Sequence, residues 1–407
     1  MTIDPPAHPP SRPTTPGLGP AVATLGLLKL VVNTAFRFVY PLLPVIARGL
    51  GIDLTQAGML VSVRWAAGLA TPAVMTFSGQ VHRSRRMTIA GLAIFSTGSI
   101  VTAWSGVFVG AVVGFALLGL AKPLVDISSQ VYVSERVDYQ RRARYLGALE
   151  LAWAGGLLIG APVAAWLIAN WSWEAPFWAL GSLGLISIGL ALLFLERDDD
   201  VSAGAARAPD SPGRQVTLVL LTIVLFGFAH ESLLVTLGGW LEGSFGMSLL
   251  ALGGVGTLIG LSELIGEGAM VGFTDRIGKR NSLALGLGVA AIGLFGLSAA
   301  SESLLPAMAA LVIVTVSFEF GYISAIPLMT ELRPRARVRV LSLSVVASGV
   351  GRIASDFVSP RVFAAGGMQR VAIMAGSIGL IALFVVLTGV REVTAAQRVR
   401  EARAGRL

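Results

Sequence analysis

The chain has 407 residues, of which 54% are hydrophobic and only 13% charged, and its mean hydropathy is +0.77. A soluble domain carries about 25% charged residues, so a water-soluble fold is excluded. The formal net charge of +8 does not mark a nucleic-acid binder, because the basic residues gather in alternate short loops. With no cysteine in the sequence, disulfides and thiolate metal sites are excluded too.

Residues 1–20 hold seven prolines and one basic residue, Arg12. This predicts a disordered cytoplasmic tail rather than a cleavable signal. Twelve apolar stretches follow, near 21–47, 54–78, 87–105, 107–132, 144–169, 175–195, 215–238, 248–272, 281–300, 304–329, 338–362 and 369–390. Each is long enough to cross a bilayer as a helix. They are called spans 1 to 12 below, and they predict an all-α membrane protein. The polar stretch Glu196–Gln215 (ERDDDVSAGAARAPDSPGRQ) predicts a cytoplasmic linker at 196–214. It would join a six-helix bundle at 21–195 to a second at 215–390. Residues 391–407 form a basic tail with Arg391, Arg398, Arg400, Arg403 and Arg406. Such a tail suits anionic lipid headgroups or plain solvent equally well.

The loops set an orientation. Arg83, Arg85 and Arg86 follow span 2, and Arg136, Arg141, Arg142 and Arg144 follow span 4. Arg276, Lys279 and Arg280 follow span 8, and Arg333, Arg335, Arg337 and Arg339 follow span 10. The other side has only Arg48, Arg361 and Arg370. The positive-inside rule then puts both termini in the cytoplasm and the chain in the inner (plasma) membrane. The halves repeat: HRSRRM (His82–Met87) returns as RIGKRN (Arg276–Asn281), and RYLGALELAWAGG (Arg144–Gly156) as RVLSLSVVASGVG (Arg339–Gly351). Parallel six-span repeats predict pseudo-symmetric bundles around a central cavity, with the site at their interface.

VGFTDRIGKR (Val271–Arg280) resembles the loop signature of the major facilitator superfamily, through Asp275, Arg276, Gly278, Lys279 and Arg280. The resemblance implies a conformational latch in which a carboxylate at a helix end holds a neighbouring helix N-terminus. A plain basic loop is the alternative. The first-half copy is degraded, with Val81 at the aspartate position and Ser84 at the second glycine. In span 5, Gly147, Gly156, Gly160 and Pro162 resemble the glycine-and-proline motif of the family's antiporters, although Ala161 intervenes before the proline. Ordinary close packing of small residues is the alternative there. NWSWEAPFW (Asn170–Trp178) resembles the family's turn between spans 5 and 6. Phe115 stands where drug exporters often carry an arginine.

The most informative pattern is the charge inside the apolar stretches, where each charge costs at least about 2.5–3.5 kcal/mol. Span 4 carries Lys122 and Asp126 one turn apart, with Pro123 between them. Span 1 has Lys29, Asn33 and Arg37 as one polar stripe, span 2 has Arg64 and span 5 has Glu150. His230 and Glu231 lie in span 7, Glu263 and Glu267 in span 8, Glu319 in span 10, and Arg352 and Asp356 in span 11. Spans 3, 6, 9 and 12 have none, apart from Arg370 at the very start of span 12. In the fold the resemblance implies, those four face lipid, while spans 1, 4, 7 and 10 line the cavity. Bases prevail in the first half and acids in the second. The repeat offset puts Arg37 level with Glu231, and Glu319 level with the Lys122–Asp126 pair.

Asp126, Glu319, Glu231 and His230 are therefore the candidate proton-coupling residues. Arg37, Asn33, Lys122, Arg64, Arg352, Asp356 and Tyr40 are the substrate or cavity candidates. Lys122 can hold only one carboxylate tightly, which leaves the other desolvated and able to load a proton. Lys29 and Glu150 are expected to snorkel at the cytoplasmic end. Glu263 with Glu267, and Arg352 with Asp356, lie one turn apart and could equally join interhelical ion pairs that fix packing or serve function.

The expected function is secondary active transport by alternating access in a monomer that binds a small-molecule substrate, protons and membrane lipids. No ATP-binding glycine-rich loop is present, so the energy source is a proton gradient and no cofactor or metal is needed. Export of an amphipathic, drug-like compound by antiport comes first, on the span 5 motif. Uptake, or movement of a charged or zwitterionic solute or lipid, is the second reading. A non-transporting sensor fits poorly, because nothing would justify the cost of the buried charges. A membrane enzyme lacks its nucleophile, base or metal ligands.

Overall fold

A computed structural model describes residues 18–77, 83–137, 139–198, 213–332 and 337–391. The two tails, the middle of the linker and the degraded signature position Val81 lie outside the described residues. Among those residues the chain is helical throughout. Span 1 is α1 (Leu18–Arg37) and α2 (Val39–Gly49). Spans 2 to 4 are α3 (Leu54–Phe77), α4 (Ser84–Ser105) and α5 (Phe108–Arg136). Span 5 is α6 (Tyr139–Leu158) and α7 (Gly160–Asn170), and span 6 is α8 (Ala175–Phe194). The second half contributes α9 (Arg214–Phe245), α10 (Leu249–Ile277), α11 (Lys279–Ala300), α12 (Leu304–Leu332) and α13 (Arg337–Gly389). The last is two spans in one, divided where Gly366 and Gly367 leave helical geometry. Gly367 has φ +66°, a left-handed conformation that glycine alone adopts readily. Among the described residues, ten stretches are long and apolar enough to cross a membrane. Dividing α13 and adding α3 gives the expected twelve.

Prolines explain where spans 1 and 5 break. Pro41 has no N–H for the Arg37 carbonyl, and Pro162 has none for the Leu158 carbonyl. The α1/α2 and α6/α7 divisions fall at these points. The freed Leu158 carbonyl instead accepts a hydrogen bond from Thr257 Oγ1 of α10, at 3.0 Å. In α5, Pro123 lies inside a continuous helix, and Thr71 Oγ1 donates to the neighbouring Leu120 carbonyl at 3.1 Å.

Helices α1–α8 pack on one another, as do α9–α13, and the two groups meet where α2 lies on α9, α3 on α13, and α6 and α7 on α10. Small residues make these crossings close. A side chain added at Gly253 would meet Ala165 and the Ala161 carbonyl, and one at Gly58 would meet the Asp356 carbonyl. The close contacts run from mid-span to the end that carries Arg48, where Arg48 of α2 bonds Glu242 of α9 at 2.6 Å. The halves are therefore sealed at that end. The spans without charge stand outside: Trp104 of α4, Leu193 of α8, Ile292 of α11 and Phe384 of α13 are exposed, as lipid-facing side chains require.

Candidate functional site

The buried charges fall into three groups along the interface. The first belongs to the N-terminal half. Lys122 Nζ holds Asp126 at 2.5 Å, and Lys29 Nζ reaches Asp126 at 3.5 Å and Glu150 at 2.9 Å. Lys29 is only 2% exposed. It does not snorkel as expected, because Asp126 and Glu150 hold its ammonium inside the bundle. Glu150 is half exposed and also accepts from Gln130 Nε2. Lys122 Nζ lies 4.8 Å from the centre of the Trp153 ring.

The second group crosses between the halves. Both terminal nitrogens of Arg37 bond the two oxygens of Glu263 on α10. Arg37 is 1% exposed and Glu263 is fully buried. The arginine also donates to the Trp153 carbonyl at 3.2 Å and lies over that ring. The expected level of Arg37 with Glu231 is thus not a pairing. Depth along a span is legible from a repeat, but direction around the helix is not, and the Arg37 side chain turns toward α10. Glu263 thus joins an interhelical ion pair, one of the two readings expected for it.

The third group is centred on Glu231 of α9, which receives Tyr40 Oη at 2.5 Å and Arg352 of α13. Trp65 Nε1 donates to Tyr40 Oη at 3.2 Å, and the Arg352 guanidinium lies over the Trp65 ring. The paired group one turn from Arg352, Asp356, is fully buried and neither of its oxygens meets a donor. Arg64 of α3 is fully buried as well. It donates to the Phe36 carbonyl and stacks on the Phe36 ring, while its Nε and Nη2 have no partner. Asn33 is buried with Oδ1 unpaired.

Glu319 of α12 sits between the second and third groups. It is 6% exposed and forms no hydrogen bond or ion pair among the described residues. The charges of Glu263, Arg37, Glu267 and Arg352 act on it; Lys122, its expected companion, is committed to Asp126. His230 stacks on Phe318 with ring centres 3.7 Å apart, and both its nitrogens are unpaired. Phe318 stacks in turn on Tyr322. Phe115 is buried against Phe177.

The two sequence motifs have different places in the structure. Gly156 packs on the backbone of Asn33 and Gly160 on the side chain of Thr34, while a side chain at Gly147 would meet nothing. Pro162 supplies the break that Thr257 bridges. The span 5 motif thus joins α1 on one side and α10 on the other. In the loop signature, Gly278 ends α10 with φ +89°. Lys279 holds Glu331 at 2.5 Å, and Arg280 donates to the Val390 and Leu387 carbonyls at 2.7 and 2.8 Å. Asp275 and Arg276 are exposed. Asp275 makes no hydrogen bond among the described residues, so it holds no helix terminus in this conformation.

A carboxylate does cap a helix, but it is one that the motif did not reveal. Asp198 accepts from the backbone N–H groups of Arg85 and Arg86 at 2.9 and 3.1 Å, at the start of α4. Nothing in the ERDDD run singles Asp198 out in sequence. Thr257 and Glu242 likewise gave no sequence signal, since their roles come from what they face. Among the described residues, no three His, Asp or Glu side chains converge to hold a metal ion.

Twelve spans in two packed groups, with charge confined to the interface, define a polytopic membrane protein built around a polar centre. The Major Facilitator Superfamily model matches residues 25–355, and the chain belongs to this superfamily of transporters. It is 23% identical over 359 residues to the uncharacterized MFS-type transporter YwfA of Bacillus subtilis (strain 168), covering 84% of this chain and 85% of that protein. It is 25% identical over 261 residues to the multidrug resistance protein MdtL of Escherichia coli O9:H4 (strain HS), covering 57% and 65% of the two chains. The fold matches that of a bacterial homolog of the human lysosomal transporter Spinster, in an inward-facing and occupied conformation. That match has a TM-score of 0.73 and 14% identity, and covers 93% and 97% of the chains. A D-xylose-proton symporter matches with a TM-score of 0.72 and 16% identity over 92% and 97%.

Proposed function

We propose that this transporter is a proton-coupled antiporter that exports amphipathic small molecules by alternating access. The observation that carries the coupling is Glu319, a carboxyl buried at the interface between the halves with no base bonded to it. A carboxylate in that position is costly to keep charged, and a proton removes the cost. Arg37, the nearest base on the facing half, is engaged by Glu263. Glu319 therefore loads a proton while that pair is closed and releases it when the halves separate there. Asp126, fixed by two lysines, serves as an anchor for Lys29 and Lys122 rather than as the carrier. Export is favoured by the similarity to a multidrug resistance protein and by the span 5 motif at the α1–α10 crossing. With the basic loops cytoplasmic in the inner membrane, the sealed Arg48 end is external and the conformation is inward-facing.

The test uses proteoliposomes with an acidic lumen and ethidium as the transported probe. Glu319→Gln should abolish dye accumulation driven by the pH gradient while leaving dye exchange partly intact. Asp126→Asn should weaken both. Full gradient-driven accumulation in Glu319→Gln would remove Glu319 from the coupling role.

A further inference from the structure

The group around Asp356 contains two unmatched ionic side chains of opposite sign. The Asp356 carboxyl is fully buried and meets no N–H or O–H donor. It stands against the carboxyl of Glu231, which already receives Tyr40 and Arg352. Two carboxyls cannot face each other in a buried site with both ionised; one proton between them turns repulsion into a hydrogen bond. Because Glu231 has the two donors and Asp356 has none, the proton belongs on Asp356.

Arg64 lies on the helix that faces Asp356. Helix α3 runs along α13 here: Gly58 stands against the Asp356 carbonyl, and Ser62 Oγ donates to the Ile353 carbonyl at 3.3 Å. The free nitrogens of Arg64 are Nε and Nη2, the pair that forms a side-on fork to a carboxylate. The charged and titratable groups around Asp356 are Glu231 with its neighbour His230 on α9, Arg64 on α3, Tyr40 on α2 and Arg352 on its own helix. Of the two bases, Arg352 is spent on Glu231, which leaves Arg64 as the available counter-charge.

We propose that Asp356 is a second proton-binding site, separate from Glu319, and that Arg64 is its alternate partner. In the conformation described here the carboxyl keeps its proton and donates it to Glu231. When α3 and α13 shift against each other, the O–H bond breaks and the proton passes to water. The Arg64 fork then takes the carboxylate, so release of the proton carries the site from one net positive charge, on the unmatched Arg64, to neutrality. Proton binding at Asp356 stands without any transport; its use in the cycle rests on the proton coupling proposed above.

Infrared difference spectra of the full-length protein in nanodiscs, recorded over an acid-to-alkaline titration, test the proposal directly. The wild type should lose a protonated-carboxyl band that Asp356→Asn lacks and Glu319→Gln retains. Arg64→Gln should keep that band to more alkaline pH, because the carboxylate would have no counter-charge. Identical spectra for the wild type and Asp356→Asn would overturn the site. Should Asp356→Asn fail to fold, an Arg64→Gln titration indistinguishable from the wild type would overturn it. If the Asp356 band is present but the wild type shows no pH-driven flux, the coupling reading fails and this site remains.

Discussion

The two halves balance their buried charge in different ways. In the N-terminal half, Lys29, Lys122, Asp126 and Glu150 form a cluster that is closed within that half. The C-terminal half is closed only in part, where Arg352 holds Glu231. Glu263 takes its base from Arg37 across the interface, and Glu319 and Asp356 have none bonded to them. Charge neutrality within the N-terminal cluster is thus indifferent to how the halves sit. For Arg37 and for Glu263, Glu319 and Asp356 it depends on the position of the opposite half. A rocking motion between the bundles acts electrically on the C-terminal acids and leaves the N-terminal cluster as it is.

Removing the base that crosses the interface should break this asymmetry most severely. Arg37→Met strands a fully buried Glu263 carboxylate, and loss of one partner of a buried pair costs about 3–5 kcal/mol. Thermal unfolding in detergent should show a large fall in Tm, and Arg37→Met with Glu263→Leu should recover most of it. A double variant no better than the single one would mean that the arginine acts mainly through Trp153. A smaller effect is expected inside the closed cluster. Lys122→Met removes one charged hydrogen bond, about 1.5–3 kcal/mol, and Lys29 remains within reach of Asp126. The combined Lys29→Met and Lys122→Met loss should exceed the sum of the two singles, which a double-mutant cycle on Tm would read. The smallest effect belongs to Arg48 and Glu242 at the sealed end. Their side chains are 59% and 31% exposed, so Arg48→Ala should cost about 0–1 kcal/mol, with the difference from wild type disappearing in high salt.

The architecture was legible in the sequence because runs of about twenty apolar residues are specified by composition alone. The same holds for the spans that avoid charge, since hydrocarbon penalises charge wherever it lies on a lipid-facing helix. Pairing was less legible. The repeat offset gave the depth of Arg37 but not its direction, so Glu263 replaced Glu231 as its partner. The breaks at Phe38 and Ile159 follow from Pro41 and Pro162, yet the apolar pattern runs through both without interruption. Lys29 is buried because Asp126 and Glu150 face it inside the bundle, which an apolar pattern along one helix does not show. Asp198 is one of three consecutive aspartates, and only folding shows which of them reaches α4.

The ends of the chain segment that joins the halves are both fastened. Asp198 is tied to the start of α4, and Gln215 Oε1 accepts from the Arg391 backbone at 2.9 Å, where α9 begins and α13 ends. Each bundle therefore finishes its own edges before the connection starts. Asp198 and Gln215 each bond their own bundle, so a change in length between these two anchors should leave both contacts in place.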